Sequence, residues 1–362
     1  MKIVVTGTRG IPGIQGGIET HCEELYPRIV DDNNHDVIVI RRSEYASRQP
    51  NESEFRGVRI KDISCIRNKY FEAILHTVKS ILYARKIKAD VVHIHAVGPA
   101  LTVPLARLLG LKVVMTHHGE DYNRQKWGRM AKAILRIGEW AGGYFSNYVI
   151  VISDSLLELM RRKIPSQRNI AMIHNGVNRP VVPVDTSYLD TLGITKGQFL
   201  LAVGRLVEEK GFDLLIESFL ELSDLSVKLV IAGDADHESI YSRKLKELAD
   251  SQRVIFTGFI KGDKLSQLYA NACLFVLPSY HEGLPIVLLE AMSYQCRILA
   301  SDIAPNKEVQ LPENCYFACG DKASLQKGIV RQLNGENSKY DLSMYDWDYI
   351  ALKTKEIYDR LL

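Results

Sequence analysis

The sequence predicts an α/β protein built from two doubly wound parallel sheets. Short apolar runs of strand length alternate with longer segments of helical pattern, and this alternation begins again after residue 198. A repeated strand-then-helix order favours parallel sheets joined by right-handed crossovers. The chain has 362 residues, which is long for a single hydrophobic core and fits two domains.

The strand candidates form two series, each rich in Val, Ile, Leu and Phe. In the first half they are Ile3–Thr6, Asp36–Ile40, Asp90–Ile94, Lys112–Thr116 and Tyr148–Ile152. In the second half they are Phe199–Val203, Lys228–Ala232, Arg253–Thr257, Leu274–Pro278 and Cys296–Ala300. The final stretch, WDYIALKTKEIYDRLL, has the pattern of an amphipathic helix.

We expect residues 1–180 to form the N-terminal domain, residues 181–345 the second domain, and residues 346–362 a C-terminal helix that returns to the first. The connection falls in RPVVPVDTS (179–187), whose prolines favour an extended segment. Open parallel sheets bind ligands at the carboxyl ends of their strands. If two such domains face each other across a cleft, the loops after the strands would therefore hold the chemistry.

Charge is distributed unevenly along the chain. Residues 1–183 hold 27 Lys and Arg against 17 Asp and Glu, whereas the remainder holds 19 against 26, within a net charge of +3. Positive charge clusters in 67–88 and 124–136, which we interpret as helices that interleave bases with apolar residues: Phe71, Ile74, Leu75, Val78, Leu82, Trp127, Met130 and Ile134. Such faces suit an anionic membrane surface, but a surface helix packed on its own core has the same pattern.

Several classes of protein are disfavoured by composition. No apolar run approaches the roughly 18 residues of a membrane span, and the first residues do not have the pattern of a signal peptide. The six cysteines are scattered, and Cys315-x3-Cys319 is their closest spacing. We therefore expect a cytoplasmic protein. We also predict no metal site, no cofactor and no nucleic-acid partner, on the basis of the motifs described below.

In the second half, the segment VGRLVEEKGFDLLIESF places cations in a strand-to-helix loop. Gly204 and Arg205 follow the strand, and Lys210 and Gly211 precede the helix. A guanidinium fork and an ammonium at the carboxyl edge of a strand are suited to binding a diphosphate. Isolated loop cations are more often solvated, but the glycines that frame this pair favour binding.

A second segment, LPSYHEGLPIVLLEAM, carries two glutamates. Glu282 lies in the loop, Pro285 suits the first position of a helix, and Glu290 lies within that helix. Gly283 would allow backbone amides at the helix start to approach an anion. Because Glu290 is flanked by apolar residues, its burial requires hydroxyl or cationic partners.

These motifs together resemble the family-4 glycosyltransferases of the GT-B fold, which consists of two Rossmann-like domains. The resemblance extends over essentially the whole chain and is strongest over residues 199–302. It implies an acceptor-binding first domain and a second domain that binds a nucleotide sugar. Arg205 and Lys210 would hold the donor diphosphate, and Glu290 would bond the ribose hydroxyls. Glu282 and the amides of Gly283 and Leu284 would contact the donor sugar, and residues 257–260 would frame the base.

The resemblance also assigns the opening segment, GTRGIPGIQGGIE. Gly16 and Gly17 would bring backbone amides to the donor diphosphate from the first domain. The segment further resembles a bacterial subgroup of surface-polysaccharide enzymes, some of which transfer rhamnose. A dehydrogenase is the alternative, since Gly7-x-x-Gly10-x-x-Gly13 and Tyr122-x3-Lys126 imitate its motifs. Pro12 within the loop and the second domain count against it.

Histidines recur at the strand ends of the first half. By resemblance, His118 lies beside the reacting sugar, and His117 is the weaker candidate. His93 and His95 could line the acceptor pocket or could satisfy hydrogen bonds at the end of a strand. A metal cluster is conceivable there, but no carboxylate motif accompanies the imidazoles. We also reject Asp234-x-Asp236 as a site for a divalent ion.

The sequence thus predicts a retaining, metal-independent glycosyltransferase, with Arg205, Lys210, Glu282 and His118 as its catalytic residues. Its donor would be a nucleotide-diphosphate sugar and its acceptor a lipid-linked saccharide, in O-antigen, capsule or exopolysaccharide synthesis. The enzyme would lie at the inner face of the cell membrane. A sugar-nucleotide epimerase of the same fold and a non-catalytic subunit that binds sugar nucleotides remain the alternatives.

Overall fold

The computed structural model describes residues 1–30, 34–48, 53–65, 72–123, 128–235, 238–249, 252–335 and 339–361. The chain divides into two compact units. The first consists of Met1–Gly176 with Tyr345–Leu362, and the second of Val177–Met344. We had placed the divisions at residues 180 and 345, a few residues from these positions.

The strands and helices are numbered here in chain order. The strands are β1 (Lys2–Thr6), β2 (Asp36–Arg42), β3 (Glu54–Phe55), β4 (Val58–Ile63), β5 (Val91–His95), β6 (Lys112–His117), β7 (Tyr148–Val151), β8 (Ile170–Met172), β9 (Phe199–Val203), β10 (Lys228–Ala232), β11 (Val254–Gly258), β12 (Leu274–Leu277), β13 (Ile298–Ser301) and β14 (Tyr316–Phe317). The helices are α1 (Gly17–Ile29), α2 (Glu72–Lys86), α3 (Val103–Leu108), α4 (Arg129–Phe145), α5 (Asp154–Lys163), α6 (Ser187–Thr191), α7 (Phe212–Glu221), α8 (Ile240–Leu248), α9 (Asp263–Asn271), α10 (Ile286–Ser293), α11 (Ala304–Lys307), α12 (Lys322–Leu333) and α13 (Trp347–Asp359).

The first unit is organised around one sheet with the strand order β3-β4-β2-β1-β5-β6-β7-β8. All neighbouring strands are parallel except the short β3–β4 pair. The order reverses between β1 and β5, where Thr6 lies opposite Ile94. Helices α1 and α13 contribute to the apolar cluster on one side of this sheet, and α2 and α3 to the cluster on the other.

The second unit repeats this arrangement with the order β11-β10-β9-β12-β13-β14, and all of its strand pairs are parallel. Its order reverses between β9 and β12, where Leu201 lies opposite Phe275. Side chains of α7, α8 and α12 complete the core of the unit. The predicted fold class, two doubly wound parallel sheets, is therefore confirmed.

Each predicted strand is present, with ends within two residues of the prediction, whereas β3, β4, β8 and β14 were not predicted. The second basic segment, 124–136, is helical from Arg129 onwards, and its helix α4 continues to Phe145, beyond the predicted segment. Its last turns contain glycines because other atoms lie against them. A Cβ at Gly138 would come 2.2 Å from the carbonyl oxygen of Val97, and one at Gly142 would come 2.4 Å from Met115 Sδ. Residues 66–71 and 124–127, which include Phe71 and Trp127, lie outside the described residues.

The C-terminal helix α13 supplies part of the core of the first unit. The Trp347 side chain is 2% exposed and lies so close to Gly176 that a Cβ there would come 2.4 Å from the indole ring. Ile350, Ile357 and Tyr358 of the same helix are also buried in this cluster. None of the described helices has the length and apolar character that crossing a bilayer requires.

Replacing Trp347 with Ala should lower the free energy of unfolding of the first unit by about 3–5 kcal/mol, because it leaves a cavity in the core. Leu352→Ala on the same helix is the matched control, since Leu352 is 54% exposed. Calorimetry of both variants would measure the difference. Equal effects would contradict the packing role of Trp347.

Candidate active site

In the second unit, two loops meet where the strand order reverses. The loop after β9 contains Lys210, and the loop after β12 contains Glu282. Lys210 Nζ lies 2.6 Å from Glu282 Oε1, which also accepts a 2.6 Å hydrogen bond from Ser279 Oγ. The Lys210 and Glu282 side chains are 17% and 9% exposed, so this ion pair is largely shielded from water. The two residues we expected to act together are therefore in direct contact.

Gly211 allows the two loops to approach each other. Its φ of +64° lies in the left-handed region, and a Cβ at this position would come 2.4 Å from the carbonyl oxygen of Pro278. A backbone hydrogen bond of 2.8 Å from Tyr280 N to the Glu209 carbonyl also joins the loops. Arg205 is half-buried in the first of these loops, directly after Gly204, whose amide bonds the Ala232 carbonyl at 2.9 Å.

Helix α10 begins directly after the second loop. The sequence predicts Pro285 at the first position of this helix, but Pro285 is its N-cap residue. Gly283 and Leu284 therefore lie just before the first turn. Glu290, one turn further on, is half-buried, and its Oε2 accepts a 2.8 Å hydrogen bond from Tyr269 Oη. Burial, with a smaller contribution from the Glu290 carboxylate, raises the pKa of Tyr269 well above its usual value. Glu290 thus has the hydroxyl partner that its apolar surroundings required.

The loop after β11 and the turn after β10 lie side by side. Gly258, within the 257–260 segment, has a φ of +68° and accepts a 2.9 Å backbone hydrogen bond from Gly233. Asp234 follows in this turn, whereas Asp236 lies outside the described residues.

In the first unit, the glycine-rich loop folds over the start of α1. Gly16 precedes the helix with a φ of +147°, and Gly17 is exposed in its first turn. Glu19 holds the loop: its carboxylate accepts hydrogen bonds from Thr8 Oγ1 and the Arg9 amide, both at 3.1 Å, and lies 3.2 Å from the Arg9 guanidinium. At the beginning of the loop, Gly7 lies against β5, because a Cβ there would come 2.2 Å from the His95 carbonyl oxygen.

His118 is the half-buried end of a hydrogen-bonded chain of rings. Its Nε2 lies 2.8 Å from His95 Nδ1, and His95 Nε2 lies 2.5 Å from Tyr26 Oη. Tyr26 Oη is also 2.9 Å from His93 Nδ1. His93 Nε2 is bonded to Thr116 Oγ1 at 2.6 Å, so both of its ring nitrogens have partners inside the unit. For His93, with 0% exposure, this geometry supports the strand-end hydrogen bonding that the sequence left open.

These imidazoles are electrically neutral near pH 7. Burial lowers the pKa of His93 to about 3, and it also lowers the pKa of His118 well below the usual value, with neighbouring His21 contributing. Burial lowers the pKa of His21 to about 4. The hydrogen-bonded rings from His118 to His93 therefore have no net charge.

His117 faces a different part of the first unit, because adjacent side chains of a strand point to opposite faces. Its Nδ1 accepts a 3.1 Å hydrogen bond from the Gly119 amide, so Nε2 carries the proton and donates to Glu139 Oε1 at 2.9 Å. Lys163 Nζ lies 2.6 Å from Glu139 Oε2, and Tyr122 Oη bonds Glu139 Oε1 at 3.0 Å. The tyrosine of the dehydrogenase-like motif is therefore bound to a buried carboxylate, and Lys126 lies outside the described residues.

Two family descriptions match the chain, one for each unit. Residues 15–179 match Glycosyltransferase Family 4, and residues 188–345 match Glycosyl transferases group 1. Together the matches span almost the entire chain. The chain is a family-4 glycosyltransferase.

Three similar proteins illustrate this relationship. An uncharacterised glycosyltransferase of Methanocaldococcus jannaschii is 26% identical to this chain, and the similarity covers 99% of this chain and 98% of that protein. TuaC of Bacillus subtilis, named as a candidate glycosyltransferase of teichuronic acid biosynthesis, is 28% identical over 64% of this chain and 57% of its own. The crystal structure of HepE from Anabaena in complex with UDP-glucose has the same fold, with a TM-score of 0.78, 16% identity and coverage of 99% and 100%.

Several residues that organise this glycosyltransferase were missed in the sequence. Glu19 gave only the weak signal of an acidic residue in the first turn of a helix. His21, Tyr26 and Glu139 gave none, because their partners are far away in the chain. His21, for example, bonds Asn175 at 2.9 Å across 154 positions.

Gly211→Ala should destabilise the second unit of the glycosyltransferase more than Gly197→Ala does. Both glycines have a positive φ, so each substitution has a conformational cost of about 1–2 kcal/mol. Only at Gly211 does the new methyl group also meet a backbone atom, whereas Gly197 has no atom within 4 Å. Denaturant unfolding would measure the difference, and equal losses would show that the contact with Pro278 is unimportant.

Proposed function

We propose that this glycosyltransferase transfers a sugar, with retention of configuration, from a nucleotide-diphosphate donor to a lipid-linked saccharide. The observation that carries the donor site is the contact between Lys210 and Glu282 where the second sheet reverses its order. Ligands bind open parallel sheets at such reversal points. The UDP-glucose complex of the similarly folded HepE supports a nucleotide sugar as the donor.

The chemistry requires neutralisation of a leaving diphosphate. Negative charge grows on the diphosphate as the bond to the sugar breaks, and fixed donors stabilise that charge without reorganising. Arg205 supplies a planar fork and Lys210 a point charge, and the start of α10 offers amides with a favourable helix dipole. These groups supply the positive charge without a divalent ion, so we propose that the reaction is independent of metals and cofactors.

We propose that Glu282 orients Lys210 and the donor sugar and does not act as a nucleophile. Its Oε1 already accepts hydrogen bonds from Lys210 Nζ and Ser279 Oγ, which stabilise the carboxylate and reduce its nucleophilicity. Together with the amides of Gly283 and Leu284, it would orient the donor sugar. Glu290, held by Tyr269, would bond the ribose hydroxyls.

In the first unit, we assign His118 to the reacting sugar. A neutral imidazole can donate or accept a hydrogen bond there without placing a positive charge near the oxocarbenium-like carbon. The exposed start of α1 at Gly17, after Gly16, offers amides to an anionic group. His95 would act by positioning His118 through their 2.8 Å contact, in place of the direct acceptor contact we had considered.

The exposed surface of α2, α3 and α4 supports a lipid-linked acceptor at a membrane. Large apolar side chains are exposed on all three helices: Leu75, Leu82, Leu108, Met130, Ile137, Trp140 and Tyr144. Trp140 and Tyr144 stack on each other with ring centroids 5.4 Å apart. Exposed aromatic rings of this kind favour the interfacial region of a bilayer.

The charge of these three helices favours an anionic bilayer. They carry seven basic residues and two acidic ones. Both acidic residues are paired inside the unit, Glu72 with Arg42 and Glu139 with Lys163. This combination supports binding at the inner face of the cell membrane, where a lipid-linked acceptor would be found.

For the pathway, we propose synthesis of a bacterial surface polysaccharide, with a deoxyhexose such as rhamnose as a candidate sugar. The resemblance of residues 7–19 to that subgroup supports this assignment. The naming of the TuaC relative for teichuronic acid biosynthesis is compatible with it.

Arg205→Ala and Lys210→Ala should each lower the turnover rate by about 10²–10³-fold, because each removes a charge that stabilises the leaving diphosphate. Donors are identified first by thermal-shift screening of UDP, GDP and dTDP sugars. Turnover is then measured with the best donor and a lipid-linked acceptor in the presence of EDTA. Lys196→Ala, an exposed lysine of the same unit, is the control and should retain full activity.

Three outcomes would contradict parts of this proposal. Unchanged turnover in Arg205→Ala and Lys210→Ala would refute the donor site. Loss of wild-type activity in EDTA, restored by Mg²⁺ or Mn²⁺, would refute metal independence. Conversion of a nucleotide sugar in the absence of acceptor would indicate an epimerase.

The combined variant Lys86→Glu and Arg129→Glu should bind anionic vesicles at least about tenfold more weakly, since each basic residue near a membrane contributes about 1 kcal/mol. Co-sedimentation with phosphatidylcholine vesicles containing about 30% phosphatidylglycerol would measure it. Arg243→Glu with Lys246→Glu, on the exposed face of α8, is the matched control. If both double variants lost vesicle binding equally, the protein would be attracted to the vesicles by its overall charge and not through the surface of α2 and α4.

A further inference from the structure

Three imidazoles converge at the carboxyl edge of the first sheet. His21 lies in α1, His95 ends β5, and His118 follows β6. One ring nitrogen of each lies within 4.8 Å of the others. We propose that these three histidines form a binding site for a transition-metal ion of the zinc class.

Hydrogen bonds to residues outside the cluster orient two of its rings. Asn175 Oδ1 accepts from His21 Nδ1 at 2.9 Å, because an amide oxygen has no proton to donate. His21 Nε2 therefore has a free lone pair. Tyr26 Oη lies 2.5 Å from His95 Nε2, and in the tautomer in which Nε2 donates this bond, His95 Nδ1 presents a lone pair towards His118. Metal-binding histidines in proteins are oriented by such bonds to their second nitrogen.

His118 would complete the set by a change of tautomer. Its Nε2 shares one proton with His95 Nδ1 across 2.8 Å. If this proton moves to His118 Nδ1, both facing nitrogens present lone pairs, and the two rings remain neutral. Zinc–nitrogen bonds of 2.0–2.1 Å in a tetrahedral site need ligand atoms about 3.3 Å apart. The two rings would thus separate by roughly half an ångström, and His118 lies in a loop, before Gly119 with its φ of +137°.

The chemistry of the ligands selects the ion. Neutral imidazole suits Zn²⁺, Cu²⁺, Ni²⁺ and Co²⁺, whereas Mg²⁺ prefers oxygen ligands. Three nitrogens also leave a fourth position for water or an anion. The proposed ion is therefore a nitrogen-binding transition metal, unlike the oxygen-binding divalent ions that assist some sugar-transfer enzymes.

Occupancy would inhibit sugar transfer, an inference that rests on the proposed role of His118. Because His118 Nε2 is bonded to His95, Nδ1 is the nitrogen that the imidazole would offer to the sugar. A metal bound to Nε2 requires the proton on Nδ1, and this removes the Nδ1 lone pair. The site would thus act as a point of inhibition by free transition metal, and would not hold a cofactor.

Binding is tested on the full chain, stripped with EDTA and desalted, without donor or acceptor. Titration calorimetry with ZnCl₂ should detect one strong site, and Co²⁺ should give the visible absorption of a tetrahedral nitrogen site. His21→Gln and Asn175→Ala should each weaken Zn²⁺ binding by about 10–100-fold. His35→Gln, a histidine outside the cluster, is the control and should bind as wild type. Circular dichroism would show whether each variant is folded.

The absence of a strong Zn²⁺ site in the folded wild-type protein would overturn the proposal. It would also be overturned if His21→Gln and Asn175→Ala bound Zn²⁺ like wild type, since the ion would then lie elsewhere. In a transfer assay, Zn²⁺ should inhibit wild type and His35→Gln, and should inhibit His21→Gln far less. If no sugar is transferred from any donor but the binding results hold, the proposed function fails and the metal site stands.

Discussion

Parallel strand pairing is the constraint on which both units depend, because it brings the carboxyl ends of all strands to one edge of each sheet. Where the strand order reverses, the loops after two adjacent strands start side by side, and in both units a backbone contact joins them. In both units this contact is made by a glycine of positive φ in the loop after the first strand. Gly7 lies against the carbonyl of His95, and Gly211 lies against that of Pro278. The same topology thus produces the same close backbone approach twice.

The two reversal points carry different chemistry because their side chains differ in exposure to water. In the second unit, the Lys210 and Glu282 side chains are 17% and 9% exposed and form an ion pair. In the first unit, His93 and His95 are fully buried and therefore stay neutral. In the proposed reaction, charge stabilisation would accordingly belong to the second unit, and orientation by hydrogen bonds to the first.

Much of the fold and part of the site could be predicted because they depend on local pattern. The strands of both sheets are apolar runs, and the meeting of Lys210 with Glu282 follows from their positions after adjacent strands. The edge strands β8 and β14 were missed because they contain only three and two residues. Contacts across long separations left no pattern: His93 bonds Tyr358 of the C-terminal helix across 265 positions, and no local signal connects the two.

The chain of rings in the first unit explains why positioning of His118 and metal binding exclude each other. Thr116 and Tyr358 fix the buried end of the chain at His93, and Tyr26 passes this constraint to His95. His95 can then use its Nδ1 lone pair for only one partner, either the proton shared with His118 or a metal ion. Because the lone pair is the same, a rigid, neutral, well-oriented histidine is also a good ligand. Under the proposed function, the arrangement that would orient His118 towards a substrate would therefore also make it sensitive to transition metals.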